Sequence, residues 1–232
     1  MDSVAIIAAI CQRYRIASVR YFESELPPPI QDAVPSGQLT AKLVSEALSI
    51  RASTGMQFTE ALLLTVLRGR RPSAALIKAI GRHYSNDLKT RKVSRNPLRI
   101  LRRIVADRPA TKMVVLTSEV TLSDGRKRHL PMLDLRYRPS PTHQQTVLDL
   151  ASAMGVEGGY LVLSGGSYHL YGSVLLTPTQ WRRFLGRALL YAPIVDRAWI
   201  AHQLIEGYSA LRISPKPNES AAPQVIAKVT SQ

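Results

Sequence analysis

Cysteine is nearly absent from this chain, with Cys11 the single one among 232 residues. An internal disulfide is therefore impossible, and a zinc site built from several cysteines is excluded. Long apolar runs are missing as well, because the opening segment "MDSVAIIAAICQRYR" has an apolar run of about nine residues, too short to cross a bilayer. Asp2 also stands where a secretory signal needs basic residues, so we expect an amphipathic helix here and a cytoplasmic protein.

Acidic residues are scarce, with 16 Asp and Glu against 31 Lys and Arg, which gives a formal net charge of +15 and a pI near 10.4. The excess is concentrated between Arg68 and Arg108, where thirteen Lys or Arg stand against two Asp, a local balance of +11. Such a stretch is typical of proteins that bind a polyanion, and we expect nucleic acid, DNA in preference to RNA. Few large apolar residues accompany the charge, which disfavours a membrane surface.

Two common functional signatures are also missing. No Gly-x4-Gly-Lys-Ser/Thr loop occurs, which argues against a classical nucleoside triphosphatase. The histidines are isolated, at positions 83, 129, 143, 169 and 202, so the paired His-x-His metal site of rolling-circle initiators is not formed in the sequence. Both classes are therefore disfavoured.

Helical periodicity dominates the first half of the chain. Apolar residues recur near every 3.6 positions between residues 39 and 108, which predicts four helices. Gly55 is expected to end the first helix, and Asn96-Pro97 to begin the last. The inward side of the last helix is predicted to consist of Leu98, Leu101, Ile104 and Val105.

Alternating segments replace this pattern after Arg108. Hairpins are predicted around "SDG" and around Gly165-Gly166, with helical segments between the strands. We therefore predict the α+β class, with a mainly antiparallel sheet in the second half. The predicted domains are a helical, basic domain at residues 1–108, with a Pro-rich loop at 24–38, and an α+β domain at residues 109–232.

The segment "TGMQFTEALLLTVLRGRRPSAALIKAIGRHY" resembles the helix-turn-helix domains of phage repressors, in which an Arg-Gly-basic-Pro-Ser stretch follows the recognition helix. That helix carries Leu62, Leu63 and Leu64 here, and few of its side chains can bond base edges, so a helical packing domain with a basic rim is the alternative. The arginines are expected to contact phosphates, which fix position without reading sequence. They are Arg68, Arg70, Arg71 and Arg82, together with Arg95, Arg99, Arg102 and Arg103 of the fourth helix.

Three short segments occur in order in the second half. "MLDLRY" lies on a predicted strand, "SGGSYHLYG" on a turn and strand, and "IVDRAW" before a helix, with "LRISPKP" shortly after. Together they resemble the catalytic core of the archaeo-eukaryotic primase superfamily, the primase-polymerases, over residues 110–232. The resemblance implies an RRM-like α+β core in which Asp134 and His169 lie on one face of a mainly antiparallel sheet.

The resemblance also implies roles for individual residues. Asp134 matches the first metal-binding acid of the family and Asp196 matches the acid of the third motif, which implies Mg²⁺ or Mn²⁺ as cofactor if the chain is catalytically active. Metal-assisted phosphoryl transfer needs such converging carboxylates, and a histidine with backbone N–H groups suits a triphosphate. The residues implied to contact the nucleotide are Ser164, Gly165, His169, Arg212 and Lys216.

The first motif departs from the family at Arg136, where a second carboxylate is expected. Alternation along a strand puts residues 134 and 136 on one face, so a permanent cation takes the place of a metal ligand. It would repel a divalent cation or pair with Asp134, and Glu119 or Asp124 would have to supply the missing acid. Purely structural roles also stay open for two of these residues. Asp196 could serve as a helix N-cap, and His169 could be a histidine packed in the core.

We therefore expect a nucleic-acid-binding protein with a primase-like core whose nucleotidyl transfer is lost or altered, acting in DNA replication, repair, or mobile-element or defence biology. An active primase-polymerase is the alternative. A DNA-binding regulator or replication initiator with a C-terminal oligomerisation domain is the third hypothesis. Arg136 favours the first hypothesis over the second, and the ordered motifs favour both over the third. A protein partner or a second copy of the chain stays open, and a membrane partner is not expected.

Overall fold

The structure, a computed structural model, describes residues 1–25, 40–56, 58–69, 74, 77, 87–192, 194–217 and 219–230. These residues contain seven helices and nine strands whose pairings are antiparallel, which confirms the predicted α+β class. The helices are α1 (Ser3–Arg13), α2 (Ala41–Thr54), α3 (Phe58–Arg68), α4 (Pro97–Ala106), α5 (Pro141–Ala153), α6 (Pro178–Leu189) and α7 (Arg197–Glu206). The strands are β1 (Ile16–Ser24), β2 (Lys89–Lys92), β3 (Met113–Leu122), β4 (Lys127–His129), β5 (Met132–Leu135), β6 (Tyr160–Leu163), β7 (Tyr168–Tyr171), β8 (Ala210–Arg212) and β9 (Gln224–Lys228).

The chain forms two compact units. The larger comprises Met1–Leu26 and Asn86–Gln232, and the smaller comprises Pro27–Ser85. The domain boundary expected at Arg108 falls inside the larger unit, because α1, β1 and α4 share a hydrophobic core with the strands that follow. In the smaller unit α2 and α3 pack around Ala47, Ala61, Leu62 and Val66, and Gly55 ends α2 in the left-handed conformation that glycine favours.

Two antiparallel sheets build the larger unit. The first has the strand order β2-β1-β3-β4, and β8 also pairs with β3 beside the part of β3 that β4 leaves free. The second has the order β5-β7-β6-β9. One face of the second sheet packs with α5, α6 and α7, and its other face contributes Met132, Val162 and Tyr171 to the core that it shares with the first sheet. Asp134 and His169 lie on the face that packs towards the first sheet, since alternate residues of a strand share a face.

Short-range signals account for most helix starts. Asn96, Ser140, Thr177 and Asp196 each accept a hydrogen bond from a backbone N–H in the first turn of the following helix. At Thr177 the side chain of Gln180 returns the bond, which completes a capping box, and proline follows three of these caps where it suits the first helical position. Polar caps therefore fix where α4 to α7 begin.

The N-terminal amphipathic helix is confirmed as α1. Asp2 caps it by accepting from the N–H of Ala5, and apolar side chains such as Ile6 and Ile7 are fully buried in the core under the first sheet. No helix among the described residues is long and apolar enough to cross a bilayer.

Three details differ from the sequence expectation. Leu98 was expected to face inward on α4 but is 41% exposed, while Leu101 and Ile104 are buried. The strand expected after "SDG" is split at Pro131, so β4 stays with β3 and β5 joins β7 in the second sheet. Strands β1 and β2 lie in the half where the periodicity indicated helices.

His129 links the first sheet to the helical layer, and its titration should be visible in the stability of the protein. Its ring stacks on Trp181 at 4.7 Å and its Nδ1 lies 3.0 Å from Ser118 Oγ. Burial lowers the pKa of His129 to about 4, whereas an unfolded histidine titrates near 6.5. Between about pH 6.5 and 4, His129 is protonated in the unfolded chain but neutral in the folded protein. Protonation therefore favours the unfolded chain, and the unfolding free energy falls as the pH drops from about 6.5 to 4.

We therefore expect His129→Phe, which keeps an aromatic ring against Trp181, to flatten that dependence. Its unfolding free energy should fall less steeply than that of the unmodified chain, by about 1.4 kcal/mol per pH unit between pH 6 and 4.5. Urea unfolding across that range measures both slopes, and His143→Phe is the control. Equal slopes for His129→Phe and the unmodified chain would show that folding does not lower the pKa of His129.

Candidate functional site

The acids of the first and third motifs lie side by side at one edge of the second sheet. Leu135 forms an isolated antiparallel bridge with Val195, and the N–H of Asp196 donates to the carbonyl oxygen of Asp134 at 3.2 Å. On its other side, Asp134 is the register partner of His169 across β5 and β7. Residues 169, 134 and 196 thus form one row across three neighbouring backbone segments, and Asp134 and His169 share a face, as expected.

Asp134 is half-buried, with one carboxyl oxygen enclosed by the protein. Its side chain is 31% exposed, but its Oδ1 is buried, makes no hydrogen bond within the described structure, and lies 3.9 Å from His169 Nε2. Burial, and then the neighbouring charge of Asp196, raise the pKa of Asp134 to about 7. At neutral pH the carboxyl group is therefore divided between its protonated and ionised forms.

His169 is neutral at physiological pH. Its burial comes first, followed by the positive charges of Arg212 and Lys216, and together they lower the pKa of His169 to about 3. The Nδ1 atom is buried and has no hydrogen-bond partner among the described residues. The ring can therefore offer a hydrogen bond to a ligand, but it supplies no charge.

Tyr171 lies within the second motif, but the sequence assigned it no role. It follows His169 by two positions on β7, so strand alternation puts it on the same face, and the two ring centroids are 6.4 Å apart. Its hydroxyl is buried without a partner among the described residues, and burial raises its pKa. The described structure has five such orphaned buried side-chain atoms, and three of them belong to Asp134, His169 and Tyr171. Buried polar atoms normally have partners, so this concentration indicates a ligand site.

Two cations approach the Gly-rich turn from the end of β8. The Arg212 guanidinium donates to the carbonyl oxygen of Ser164 at 2.6 Å and to that of Ser214, so it braces the turn against the first sheet. The Lys216 ammonium lies over Gly165, 3.7 Å from where a Cβ would stand. Gly165 has φ +98°, which favours glycine. Among the described residues no acceptor takes the N–H groups of Gly165 and Gly166.

Arg136 lies one residue beyond the end of β5, and its N–H donates to the carbonyl oxygen of Ile194. Within the described structure it makes no ion pair with Asp134, so the pairing considered from the sequence is not formed. Neither proposed substitute acid joins Asp134: Glu119 pairs with Arg20 and Lys127 on the first sheet, and Asp124 pairs with Arg126 in the β3–β4 turn.

The carboxylates form a smaller donor set for divalent metal ions than the family motif implies. Asp196 uses Oδ1 to cap α7 by accepting from the N–H of Trp199, and Asp134 is the other acid beside it. No group of three His, Cys, Asp or Glu side chains with metal-binding geometry is found among the described residues. Asp134 and Asp196 are therefore the two carboxylates of the described site that could hold a divalent ion together with the phosphates of a substrate.

The basic residues predicted to contact phosphate are only partly within the described structure. Arg70, Arg71 and Arg82 lie outside it, and Arg68 is exposed at the end of α3 in the smaller unit. The other four are exposed on or just before α4 in the larger unit. Arg102 pairs with Asp2 and Arg103 pairs with Asp107, whereas Arg95 and Arg99 have no acidic partner among the described residues.

Comparison with known proteins bears on the larger unit. Searches of curated proteins and of solved structures gave no match to the chain. A family model described as archaeo-eukaryotic primase 1D-like matches residues 94–224, more than half of the chain, and this range contains every residue of the row and the Gly-rich turn. The helix-turn-helix resemblance is not tested by this match and stays a prediction. The chain belongs to the AEP-like family, the archaeo-eukaryotic primase 1D-like proteins.

Proposed function

We propose that this protein binds nucleic acid and a nucleoside triphosphate through its primase-like core, and that its nucleotidyl transfer is lost or altered. The observation that carries the proposal is the convergence of the motif residues on one surface. Asp134 lies there, and behind it Asp134, His169 and Tyr171 hold three buried polar atoms without partners among the described residues, with the charges of Arg212 and Lys216 acting on His169. A ligand with several hydrogen-bonding groups and negative charge suits that surface.

The triphosphate is assigned to the Gly-rich turn. The N–H groups of Gly165 and Gly166 have no acceptor among the described residues, so they are available to an anion, and the Lys216 ammonium lies beside Gly165. Arg212 supports this arrangement from below, because its bond to the carbonyl oxygen of Ser164 holds the turn in place. His169 supplies a neutral hydrogen bond beside the phosphates.

Loss or alteration of catalysis is supported by the carboxylates. Mg²⁺ or Mn²⁺ would supply the charge stabilisation that nucleotidyl transfer requires. Asp134 and Asp196 are the two acids at the site, and each is compromised, the first by its raised pKa and the second by its capping bond to the Trp199 N–H. Arg136 adds a cation nearby. The donor set favours a site that binds nucleotide better than it binds metal.

An active primase-polymerase is the second candidate. The observation in its favour is the backbone bond that holds Asp196 beside Asp134 at 3.2 Å (N to O), since two adjacent acids are the minimum for this chemistry. In that case Asp196→Ala and Asp134→Ala would each abolish synthesis while leaving nucleotide binding measurable.

Nucleotide binding provides the direct test. A fluorescent GTP analogue titrated without metal should bind the unmodified chain, and His169→Ala and Lys216→Ala should each weaken binding by about tenfold or more, because each variant removes a hydrogen-bond donor to phosphate. Lys127→Ala is the matched control, because the Nζ of Lys127 lies 3.3 Å from Glu119, as that of Lys216 does from Glu219. Equal affinity in all four proteins, or no binding at millimolar analogue, would contradict the proposal.

A further inference from the structure

A cavity lies on the helical side of the larger unit, and none of its lining residues belongs to the proposed nucleotide site. It has a volume of about 380 Å³ and lies between the end of α5, the loop after β7, and α6. That volume is within the range of ligand pockets, roughly 300–1,000 Å³. Its walls are mostly apolar, formed by Pro131, Met154, Val156, Val174, Leu176 and Phe184.

Helix α6 has two separate stripes of side chains. Trp181, Leu185 and Ala188 are buried and face the core of the second sheet. A second stripe follows the i, i+3, i+4, i+7 spacing of one helix face and lines the cavity. It consists of Gln180, Arg183, Phe184 and Arg187.

Two arginines stand unpaired at the cavity. Arg183 and Arg187 make no hydrogen bond or ion pair with any described residue, although Glu157 also lines the cavity. Like charges at i, i+4 destabilise a helix, and this pair would be stabilised by an anion bound between the two guanidinium groups. The charge at the cavity is therefore complementary to an acidic ligand.

The apolar part of the cavity is preformed. A Cβ on Gly172 would lie 2.6 Å from Pro131 Cγ, so the loop after β7 is held against the β4–β5 connection. Val174, two residues on in that loop, is 55% exposed at the cavity. A rigid apolar recess that leaves a large aliphatic side chain in water is suited to an apolar group from outside the chain.

We propose that this cavity docks an acidic segment of a partner protein, with one apolar side chain inserted and its carboxylates on Arg183 and Arg187. Nucleic acid fits less well, because Phe184 is the single aromatic ring among the lining residues described, and aliphatic walls neither stack bases nor bond their edges. The two arginines favour an acidic partner, and the apolar recess favours the one apolar side chain that the partner inserts.

The test uses the full chain and a panel of fluorescein-labelled acidic peptides, each carrying one Leu, Ile, Met, Phe or Trp, with binding followed by anisotropy. At least one peptide should bind, and its affinity should fall about tenfold or more in Arg183→Glu/Arg187→Glu and in Val174→Asp. The control is Arg182→Glu, on the same helix but outside the cavity, where Nη2 lies 3.5 Å from Thr179 Oγ1. Replacing the apolar residue of the peptide with Ser should also abolish binding.

Two results would overturn this assignment. One is a panel in which no peptide binds the unmodified chain more tightly than it binds Arg183→Glu/Arg187→Glu. The other is loss of binding to a labelled oligo-dT in that double variant without any peptide binding, which would assign the cavity to nucleic acid. Unchanged thermal unfolding of the variants ensures that either result reports on the cavity.

Discussion

The unmodified chain, given a primed DNA template, deoxynucleotides and Mg²⁺ or Mn²⁺, should produce little or no extended product. Asp134 has a pKa near 7, so a metal ion must displace a proton to use it at neutral pH. The resemblance leads us to expect an acid at position 136, where this chain has a permanent cation, and Asp196 already accepts from the Trp199 N–H. Each of these weakens the binding of a divalent ion.

Arg136→Asp should reverse part of this loss. The N–H of Arg136 pairs with Ile194 and continues the bridge between Leu135 and Val195, so we expect an acid here to lie on the same face as Asp134. Because cation affinity rises with the number of charged ligands, Mn²⁺ should bind on the order of tenfold more tightly. Arg138→Asp, the same charge change two residues further on, is the control. Calorimetry and gel-based extension assays measure both effects.

Efficient synthesis by the unmodified chain, abolished by Asp134→Ala, would contradict the proposal that nucleotidyl transfer is lost or altered. It would make the protein an active primase-polymerase and would assign Arg136 a role compatible with metal binding. Failure of Arg136→Asp to bind Mn²⁺ more tightly than Arg138→Asp would show that position 136 is too far from Asp134 to matter.

Binding to nucleic acid should fall steeply with salt, and the exposed side of α4 should carry much of that dependence. Arg95 and Arg99 have no acidic partner among the described residues, so they are free to displace counterions from phosphates. Arg95→Ala/Arg99→Ala should lower the slope of log affinity against log salt by about 1.8, at about 0.9 for each phosphate that is no longer neutralised. The effect should be equal for all sequences, because phosphate contacts carry no base information.

A control must separate this surface from net charge alone. Arg126→Ala/Arg128→Ala removes two charges from the β3–β4 hairpin, where Arg126 pairs with Asp124. That variant should keep nearly the full salt slope. An equal decrease in the two double variants, or binding that ignores salt, would contradict the assignment. Anisotropy with a labelled duplex and a labelled single strand over a range of salt concentrations measures the slopes.

Features set by neighbouring residues were predictable from the sequence. The capping box at Thr177, the proline start of α4 and the hairpin turn at Gly165-Gly166 all depend on interactions within a few positions. The three ordered motifs indicated the family, and the family match covers all of them. Local chemistry thus placed the site residues on the correct strands and helix ends.

Features set by distant residues were not predictable. The sequence of β2 is "KTRK", and all four residues are exposed, so it has no alternation of apolar and polar residues. This segment is a strand because it pairs with β1. The orphaned hydroxyl of Tyr171 becomes visible only once burial is known. The neighbourhood of Asp134 and Asp196 likewise depends on a single bridge between Leu135 and Val195, which no spacing rule identifies.

The bond from Arg212 to the carbonyl oxygen of Ser164 has a consequence for folding. The β6–β7 hairpin is local and can form early, but its turn gains this partner only after a strand 48 positions away has docked. The loop-closure entropy of that docking must be overcome before the turn is braced. A chain in which β8 has not yet docked therefore contains the hairpin without the bond that braces its turn.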